Sequence, residues 1–414
     1  MKNIPICYSP HIKSELEELK MNNVRVSETT LFCERNGLRI RGMQYFPCEE
    51  QKKEKYPAII VSHGFTGNYT STQDYCRAFA RMGYVAFSFS FCGGSKINED
   101  SDLKSEGECI ETTIFTEVED LIAVKDYVKG LKYVDETNLV LAGFSQGGLV
   151  SGLTAAKCKG EIKKLIMIYP ALCIPDDARR GCLGGAQYDA NHVPAIIDCK
   201  NTQLGKIFHD TVVSMDVFLE LSKYKGPVLI LQGLEDETVN YSYAIRAKEN
   251  YEKGQCRLQL IRDAGHGLNE KQKKSAISSI RQFLLGRIEL LTIRVIILNR
   301  ESKLEGNNLQ SKIYFTGYCD TEYFHGTILP GGCDTQDYSG KLRMNIRAEY
   351  TLQGIDMKGA KCNVHIINQM VNSEWKPTIE TDSKNLIWIN NADVTAVLED
   401  TKQGPVVRIF GLAS

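Results

Sequence analysis

The chain has 414 residues and a formal net charge of −1. It is too long for one ordinary domain and suits one large and one small domain. The near-neutral charge gives no electrostatic reason to expect a nucleic acid or an anionic membrane as a partner. No apolar run approaches the length of a membrane span, and the N-terminal residues lack the apolar core of a signal peptide, so we expect a cytoplasmic protein.

The cysteines give no sign of a metal site or a disulfide framework. The 14 cysteines form no Cys-x-x-Cys pair, and no His-Glu-x-x-His motif occurs. In a cytoplasmic chain, scattered cysteines are mostly buried thiols that remain reduced. The sequence therefore predicts no structural metal.

The first part of the chain is predicted to form a mostly parallel sheet. Alternating polar and apolar residues at 24–34 and 38–46 flank Asn36-Gly37, a dipeptide favoured in hairpin turns, and predict two antiparallel strands at a sheet edge. Strand and helix patterns alternate after them, which is typical of a parallel sheet with helices on both faces. Further strands are predicted at 56–62, 85–91, 138–142, 164–169, 227–233 and 257–261, and helices at 117–132, 241–253 and 270–285.

Between Pro170 and about Lys225 this alternation stops. The stretch is rich in Gly, Pro and Asp and contains a short helical pattern near 210–221. A long insertion at the carboxyl end of a strand is more often functional than a linker. We therefore interpret residues 170–225 as a lid that forms the substrate pocket.

From about Leu290 onward, short strand patterns separated by turns predict a small antiparallel β-barrel. We place the domain boundary after residue 288, which gives an α/β domain at 1–288 and a barrel domain at 289–414. The barrel is either a ligand-binding domain or a packing module, and a homodimer stays open. The strands of the barrel are predicted at 292–298, 312–318, 342–351, 361–367, 386–389, 394–398 and 406–409.

A Gly-x-Ser-x-Gly motif, Gly143-Phe-Ser-Gln-Gly147, lies between a predicted strand and a predicted helix. This is the context of a nucleophile elbow, in which the serine occupies a strained turn. A Cβ atom at Gly143 or Gly147 would collide with the neighbouring strand or helix. The motif therefore predicts Ser145 as a nucleophile.

A serine hydroxyl needs a base, and the base needs an acid to orient it. Among the seven histidines, His266 follows a strand and lies between glycines, so it is the candidate base. Asp236 is favoured as the acid over its neighbours Glu235 and Glu237. The chain order Ser, Asp, His is that of α/β-hydrolases.

The glycine-rich loop His63-Gly-Phe-Thr-Gly67 follows the predicted strand 56–62. An acyl-transfer enzyme needs two N–H donors directed at the developing oxyanion. The matching positions in hydrolases of this type are Phe65 and Gln146. His63 is an alternative base, but we expect it to brace the loop.

These motifs, with Gly233-Leu-Glu-Asp236 and Ala264-Gly-His266, resemble the bacterial cinnamoyl/feruloyl esterase branch of the α/β-hydrolases over about residues 25–286. In that branch a lid aspartate meets the ring hydroxyl of the substrate, and the resemblance assigns this role to Asp177. Phe208 stands where the family has an aromatic residue with a hydroxyl, and Gly184 replaces a polar residue. The barrel segments 324–336 and 346–350 resemble a family of small bacterial barrels of unknown function.

The resemblance implies a serine hydrolase that cleaves esters of hydroxycinnamic acids through an acyl-enzyme on Ser145. It implies no metal, no organic cofactor and a small-molecule ester as the substrate. A general carboxylesterase, an acyl-peptide hydrolase and an acyltransferase would use the same three residues and stay open. A third class, a binding protein whose barrel carries the function, is disfavoured by the complete Ser, Asp and His set.

Overall fold

The computed structural model describes residues 25–48, 53–96, 98–339, 342–371 and 374–412. Contacts divide the chain into two compact units, one formed by Val24–Lys273 and one that includes Lys274–Ser414. No helix in the described ranges is long and apolar enough to cross a membrane.

The first unit is built on ten strands. Eight form one sheet in the order β1-β2-β4-β3-β5-β6-β9-β10, and the short β7 and β8 pair with each other. The strands are β1 Arg25–Arg35, β2 Leu38–Cys48, β3 Tyr56–Ser62, β4 Val85–Phe89, β5 Val134–Phe144, β6 Lys164–Ile168, β7 Ile196–Asp198, β8 Gln203–Gly205, β9 Val228–Gly233 and β10 Cys256–Ile261.

The sheet is antiparallel at one edge and parallel elsewhere, as predicted. β1 pairs antiparallel with β2, and β2 with β4, whereas the six strands from β4 to β10 in the sheet order run parallel. Asn36 and Gly37 both have positive φ, 50° and 83°, which is the geometry of a type I′ hairpin turn. The apolar runs of β4 and β9 are buried along their whole length, as expected of strands covered on both faces.

Eight α-helices accompany the strands in the described ranges. They are α1 Gln73–Arg81, α2 Ile114–Lys129, α3 Gln146–Lys157, α4 Ile174–Arg180, α5 Lys206–Val212, α6 Val217–Leu221, α7 Ser242–Asn250 and α8 Glu270–Leu284. Helix α2 begins three residues earlier than predicted because Thr113 caps it: its hydroxyl accepts a hydrogen bond from the Thr116 N–H at 3.0 Å. The predicted lid lies between β6 and β9 and contains α4, α5, α6 and the β7–β8 pair.

The second unit contains nine antiparallel strands. They are β11 Arg287–Glu305, β12 Asn308–Asp320, β13 Phe324–Ile328, β14 Cys333–Ser339, β15 Leu342–Asp356, β16 Lys361–Val371, β17 Glu374–Thr381, β18 Val394–Thr401 and β19 Gly404–Leu412. Because β11 pairs with both β19 and β12, the strand order closes on itself. The predicted antiparallel barrel is therefore confirmed.

One predicted barrel strand is wrong. Residues 386–389 are not extended, and Ile387–Asn391 forms a 3₁₀ helix. The hydroxyl of Ser383 accepts hydrogen bonds from the N–H groups of Asn385 and Leu386, both at 3.2 Å. This local side-chain cap offers the backbone an alternative to a strand ladder.

Candidate active site

Ser145 occupies the sharp turn between β5 and α3. Its φ of 51° and ψ of −118° lie where a residue with a side chain is rarely found. The strain is held by backbone hydrogen bonds: Ser145 N–H donates to Ile168 O at 3.0 Å, and Ser145 O accepts from Gly148 N–H and Ala171 N–H, both at 2.9 Å. A strained, over-determined serine at this position is typical of a functional site.

The two motif glycines allow this turn to pack closely. A Cβ atom on Gly143 would lie 2.1 Å from Gly147 O, and one on Gly147 would lie 2.3 Å from His63 O. Both distances are far below van der Waals contact, and both involve backbone atoms. The predicted collision at each glycine is confirmed.

Ser145, His266 and Asp236 form a continuous hydrogen-bonded chain. His266 Nε2 lies 2.9 Å from Ser145 Oγ, and His266 Nδ1 lies 2.9 Å from Asp236 Oδ2. A carboxylate only accepts, so Nδ1 carries the proton and Nε2 is free to accept the hydroxyl proton of the serine. Each of the three residues comes from a different loop at the carboxyl end of a parallel strand, after β5, β9 and β10.

Asp236 is fixed in its ionised form. Its Oδ1 accepts from the N–H groups of Thr238 and Val239 at 2.9 and 2.8 Å, and its Oδ2 accepts from Gln232 Nε2 at 2.9 Å. Burial by itself raises the pKa of Asp236, but the hydrogen bonds from His266 and Val239 outweigh it and lower the pKa below its ordinary value. A carboxylate that is charged at neutral pH can stabilise an imidazolium on His266.

The predicted oxyanion positions flank the serine. Gln146 is the first residue of α3, where backbone N–H groups lack an intrahelical partner and the helix dipole favours negative charge. The loop that carries Phe65 lies against the serine, since a Cβ atom on Gly64 would be 3.2 Å from Ser145 Cβ. Gln146 and the loop that carries Phe65 are therefore next to Ser145, and the role of the two N–H groups as donors stays a prediction.

His63 braces this loop. Phe91 N–H donates to His63 Nε2 at 3.2 Å, so the proton resides on Nδ1, which donates to Gly64 O at 2.7 Å. Burial lowers the pKa of His63 to about 4 against the weaker opposing effect of the Gly64 bond. With both ring nitrogens engaged and the ring buried, the bracing role predicted for His63 is confirmed.

Two residues near the serine were missed by the sequence reading. The ring of Tyr169 packs edge-on against His266 with centroids 4.9 Å apart, and its φ of 37° is strained for a bulky residue. Glu117 on α2 is buried, and both of its carboxyl oxygens lie within hydrogen-bond distance of Gln146 Nε2, at 2.8 and 2.9 Å. The position of Tyr169 just after β6 is the one sequence feature that could have indicated a role at the site. For Glu117 the sequence offers no such feature.

The lid residues have contacts of their own. Asp177 on α4 pairs with Arg180, Phe208 on α5 is buried at 1% exposure, and a Cβ atom on Gly184 would lie 2.7 Å from the Phe65 ring. Gly184 thus packs beside the predicted oxyanion loop. The substrate-binding roles of Asp177 and Phe208 stay predictions.

The described residues contain no cluster of three or more His, Cys, Asp or Glu side chains placed to hold a metal ion.

Comparison with known proteins supports an esterase. The acetyl xylan esterase family (AXE1) matches residues 8–282. The chain is similar to Est1E from Butyrivibrio proteoclasticus with ferulic acid bound, at 28% identity and a TM-score of 0.54, covering 62% of this chain and 98% of that one. A second Est1E structure matches at 26% identity and a TM-score of 0.52, covering 62% and 97%. The predicted resemblance to α/β-hydrolase esterases is confirmed.

A hypothetical protein from Pseudomonas aeruginosa shares the fold at 14% identity and a TM-score of 0.51, covering 69% of this chain and 99% of that one. The search of curated proteins found no match to this sequence.

Proposed function

The chain belongs to the acetyl xylan esterase (AXE1) family and is a carboxylic-ester hydrolase, and we propose that it cleaves esters of hydroxycinnamic acids through an acyl-enzyme on Ser145. The observation that carries the mechanism is the hydrogen-bonded chain from Asp236 through His266 to Ser145, with 2.9 Å at each link. A nucleophile, a base and an orienting acid in this geometry are what acyl transfer requires.

The first half-reaction forms the acyl-enzyme. Ser145 Oγ attacks the ester carbonyl while His266 Nε2 takes its proton, and Asp236 stabilises the resulting imidazolium. The backbone N–H groups of Phe65 and Gln146 hold the oxyanion of the tetrahedral intermediate. When the intermediate collapses, the C–O bond to the alcohol breaks and His266 returns the proton to the leaving oxygen.

The second half-reaction releases the acid. Water enters, gives a proton to His266 Nε2 and attacks the acyl carbon through the same oxyanion site. Collapse of this intermediate breaks the bond to Ser145 Oγ, and the serine regains its proton from His266. The cycle consumes the ester and one water molecule and returns the serine and histidine to their starting states.

Two points favour a hydroxycinnamoyl group, and one opposes it. Est1E, at 28% identity, has been solved with ferulic acid bound, and the lid carries Asp177 at the position matched to the ring-binding aspartate. The fully buried Phe208 offers no hydroxyl to a phenolic ring. The lack of a hydroxyl at Phe208, together with the match to the acetyl xylan esterase family, favours a small acyl group such as acetyl as the alternative. An acyl-peptide hydrolase or an acyltransferase would use the same three residues.

A substrate panel tests the proposal. Purified protein is given methyl ferulate, methyl acetate and an aminoacyl amide, and kcat/KM is measured for each, the two esters sharing one leaving group. A preference for methyl ferulate of tenfold or more supports the hydroxycinnamate assignment (about 1.4 kcal/mol of discrimination). A preference for methyl acetate keeps the serine mechanism and replaces the aromatic acid by a small acyl group.

The nucleophile is tested with a matched pair of serines. Ser145→Ala should lower kcat by a factor of about 10⁴ or more. Ser151 lies in α3, the helix that follows Ser145, and its hydroxyl contacts Ala142 O at 3.3 Å, so Ser151→Ala should keep the activity. If the two variants behave alike, Ser145 is not the nucleophile.

A further inference from the structure

A buried carboxyl group outside the Ser-His-Asp chain lies directly behind one predicted oxyanion donor. Glu117, in the first turns of α2, is 1% exposed. Gln146 Nε2 lies 2.8 Å from its Oε1 and 2.9 Å from its Oε2. Because Gln146 is the residue after Ser145, Glu117 is connected to the reacting centre through a single side chain.

The surroundings of Glu117 do not suit a negative charge. A carboxylate has about four acceptor sites, and one amide group is the hydrogen-bond partner that the structure gives this carboxyl. Within the described ranges Glu117 forms no ion pair with Lys, Arg or His. Burial raises the pKa of Glu117 to about 8; the Gln146 bond opposes this rise and the charge of Asp120 adds to it.

The other groups around Glu117 also favour its uncharged form. Asp120, one turn further along α2, is fully buried and pairs with Arg35 Nε at 2.5 Å and with Cys92 N–H at 2.8 Å. The cation of Arg35 is therefore directed at Asp120. From the loop after β4, Gly94 lies beside Glu117, since a Cβ atom on it would be in ordinary contact with Glu117 Oε1 at 3.7 Å, and glycine brings no charge.

We propose that Glu117 is a positioning residue which, as an uncharged acid, holds Gln146 at the start of α3 and keeps negative charge away from the oxyanion. The inference rests on the proposed function, since it assigns Gln146 N–H to the oxyanion site. Catalysis by such a site depends on fixed dipoles directed at developing negative charge. An ionised Glu117 would oppose that charge in a buried, poorly screened setting. Ground-state binding of an uncharged ester would be little affected.

The test is the pH dependence of kcat and KM between pH 6 and 10. Phenyl acetate is used because the ester has no titratable group, and the product is quantified by chromatography. Wild type is expected to lose at least about tenfold in kcat between pH 7 and 9.5 as Glu117 ionises, with KM changed by less than about threefold. In Glu117→Gln this alkaline fall should be absent.

The matched control is Glu119→Gln. Glu119 lies on the same helix with its side chain 48% exposed, so its variant should retain the alkaline fall. A purely structural role for Glu117 would change the unfolding temperature of Glu117→Gln but leave the shape of the kcat profile as in wild type.

The inference is overturned if wild type shows no alkaline fall, or if Glu117→Gln keeps it. Should Glu117→Gln fail to fold, carboxyl ¹³C NMR of wild type decides, because the Glu117 resonance must titrate with the same midpoint as kcat. If Ser145→Ala retains hydrolysis, the proposed function itself fails. If Ser145→Ala is inactive and the Glu117→Gln profile follows wild type, this inference alone fails.

Discussion

Replacing Gly147 by alanine should damage catalysis more than stability. The added Cβ atom would lie 2.3 Å from His63 O and 2.6 Å from Ser62 O. Both neighbours are backbone atoms of the loop that carries Phe65 or of strand β3, so they cannot rotate away. Relief of the clash requires a displacement of roughly 1 Å between the start of α3 and that loop.

The magnitude follows from two opposing effects. Overpacking of this kind costs about 1–3 kcal/mol, and alanine gains about 0.5–1 kcal/mol over glycine within a helix. The expected net loss is about 0–2.5 kcal/mol in the free energy of unfolding. Because the displacement separates the two predicted oxyanion donors, kcat should fall by about 100-fold.

Gly152→Ala is the matched control in the same helix. Its Cβ atom would meet Leu221 Cδ2 at 2.4 Å and Met167 Sδ at 3.2 Å, which are the ends of flexible side chains. Urea denaturation gives the free energy of unfolding of both variants, and phenyl acetate hydrolysis gives kcat. The reasoning is refuted if Gly147→Ala matches wild type within twofold in kcat and within about 0.5 kcal/mol in stability, which is the size of an ordinary surface substitution.

Three further predictions concern charged and titrating groups. Asp236→Asn should lower kcat about 10⁴-fold because the asparagine no longer holds the required His266 tautomer. The folded-state pKa of Asp236 is lowered, so wild type should also lose stability relative to this variant as pH falls below about 4. Thermal unfolding measures this loss. Because the pKa of His63 is lowered to about 4, the wild-type protein should become less stable as pH falls from about 6.5 toward 4. The ring resonances of His63 in NMR should show a neutral imidazole at pH 5.5. A charged ring at that pH would contradict the buried bracing role. In the second unit, Arg408→Met should destabilise the chain by about 3–5 kcal/mol in urea denaturation. The reason is that Glu289 and Glu399, whose side chains are 16% and 11% exposed, would lose the cation that lies 2.8 and 2.9 Å from them. A loss below about 1 kcal/mol would show that water replaces the arginine.

The parts of the fold that could be predicted are those in which local pattern and burial agree. The strand β9 begins with four apolar residues and is buried along its whole length, and the Asn36-Gly37 turn adopts the geometry that its residue types favour. The order of Ser145, Asp236 and His266 was also readable, because each follows a strand whose carboxyl end lies at one edge of the sheet. Short motifs at the ends of strands carry their own local signal.

The features that could not be predicted from the sequence depend on contacts that a local pattern does not show. Glu117 occupies a polar position in a helical pattern, where a charged side chain normally faces solvent, and its burial is set by Gln146 and Gly94 from other elements. The 3₁₀ helix Ile387–Asn391 was mistaken for a strand because Leu386–Ile389 is apolar, and the cap by Ser383 decides the backbone conformation. Tyr169 likewise lies at the site through a contact with a distant residue, the ring of His266.

The most direct measurement is the identification of the acylated residue during turnover. Protein is mixed rapidly with phenyl acetate or methyl ferulate, quenched in acid and examined by intact-mass and peptide mass spectrometry. One acyl group should be found per chain, on the peptide that contains Ser145, in wild type and in Ser151→Ala but not in Ser145→Ala. Sustained hydrolysis with the acyl group on another residue, or undiminished hydrolysis by Ser145→Ala, would contradict the acyl-enzyme mechanism.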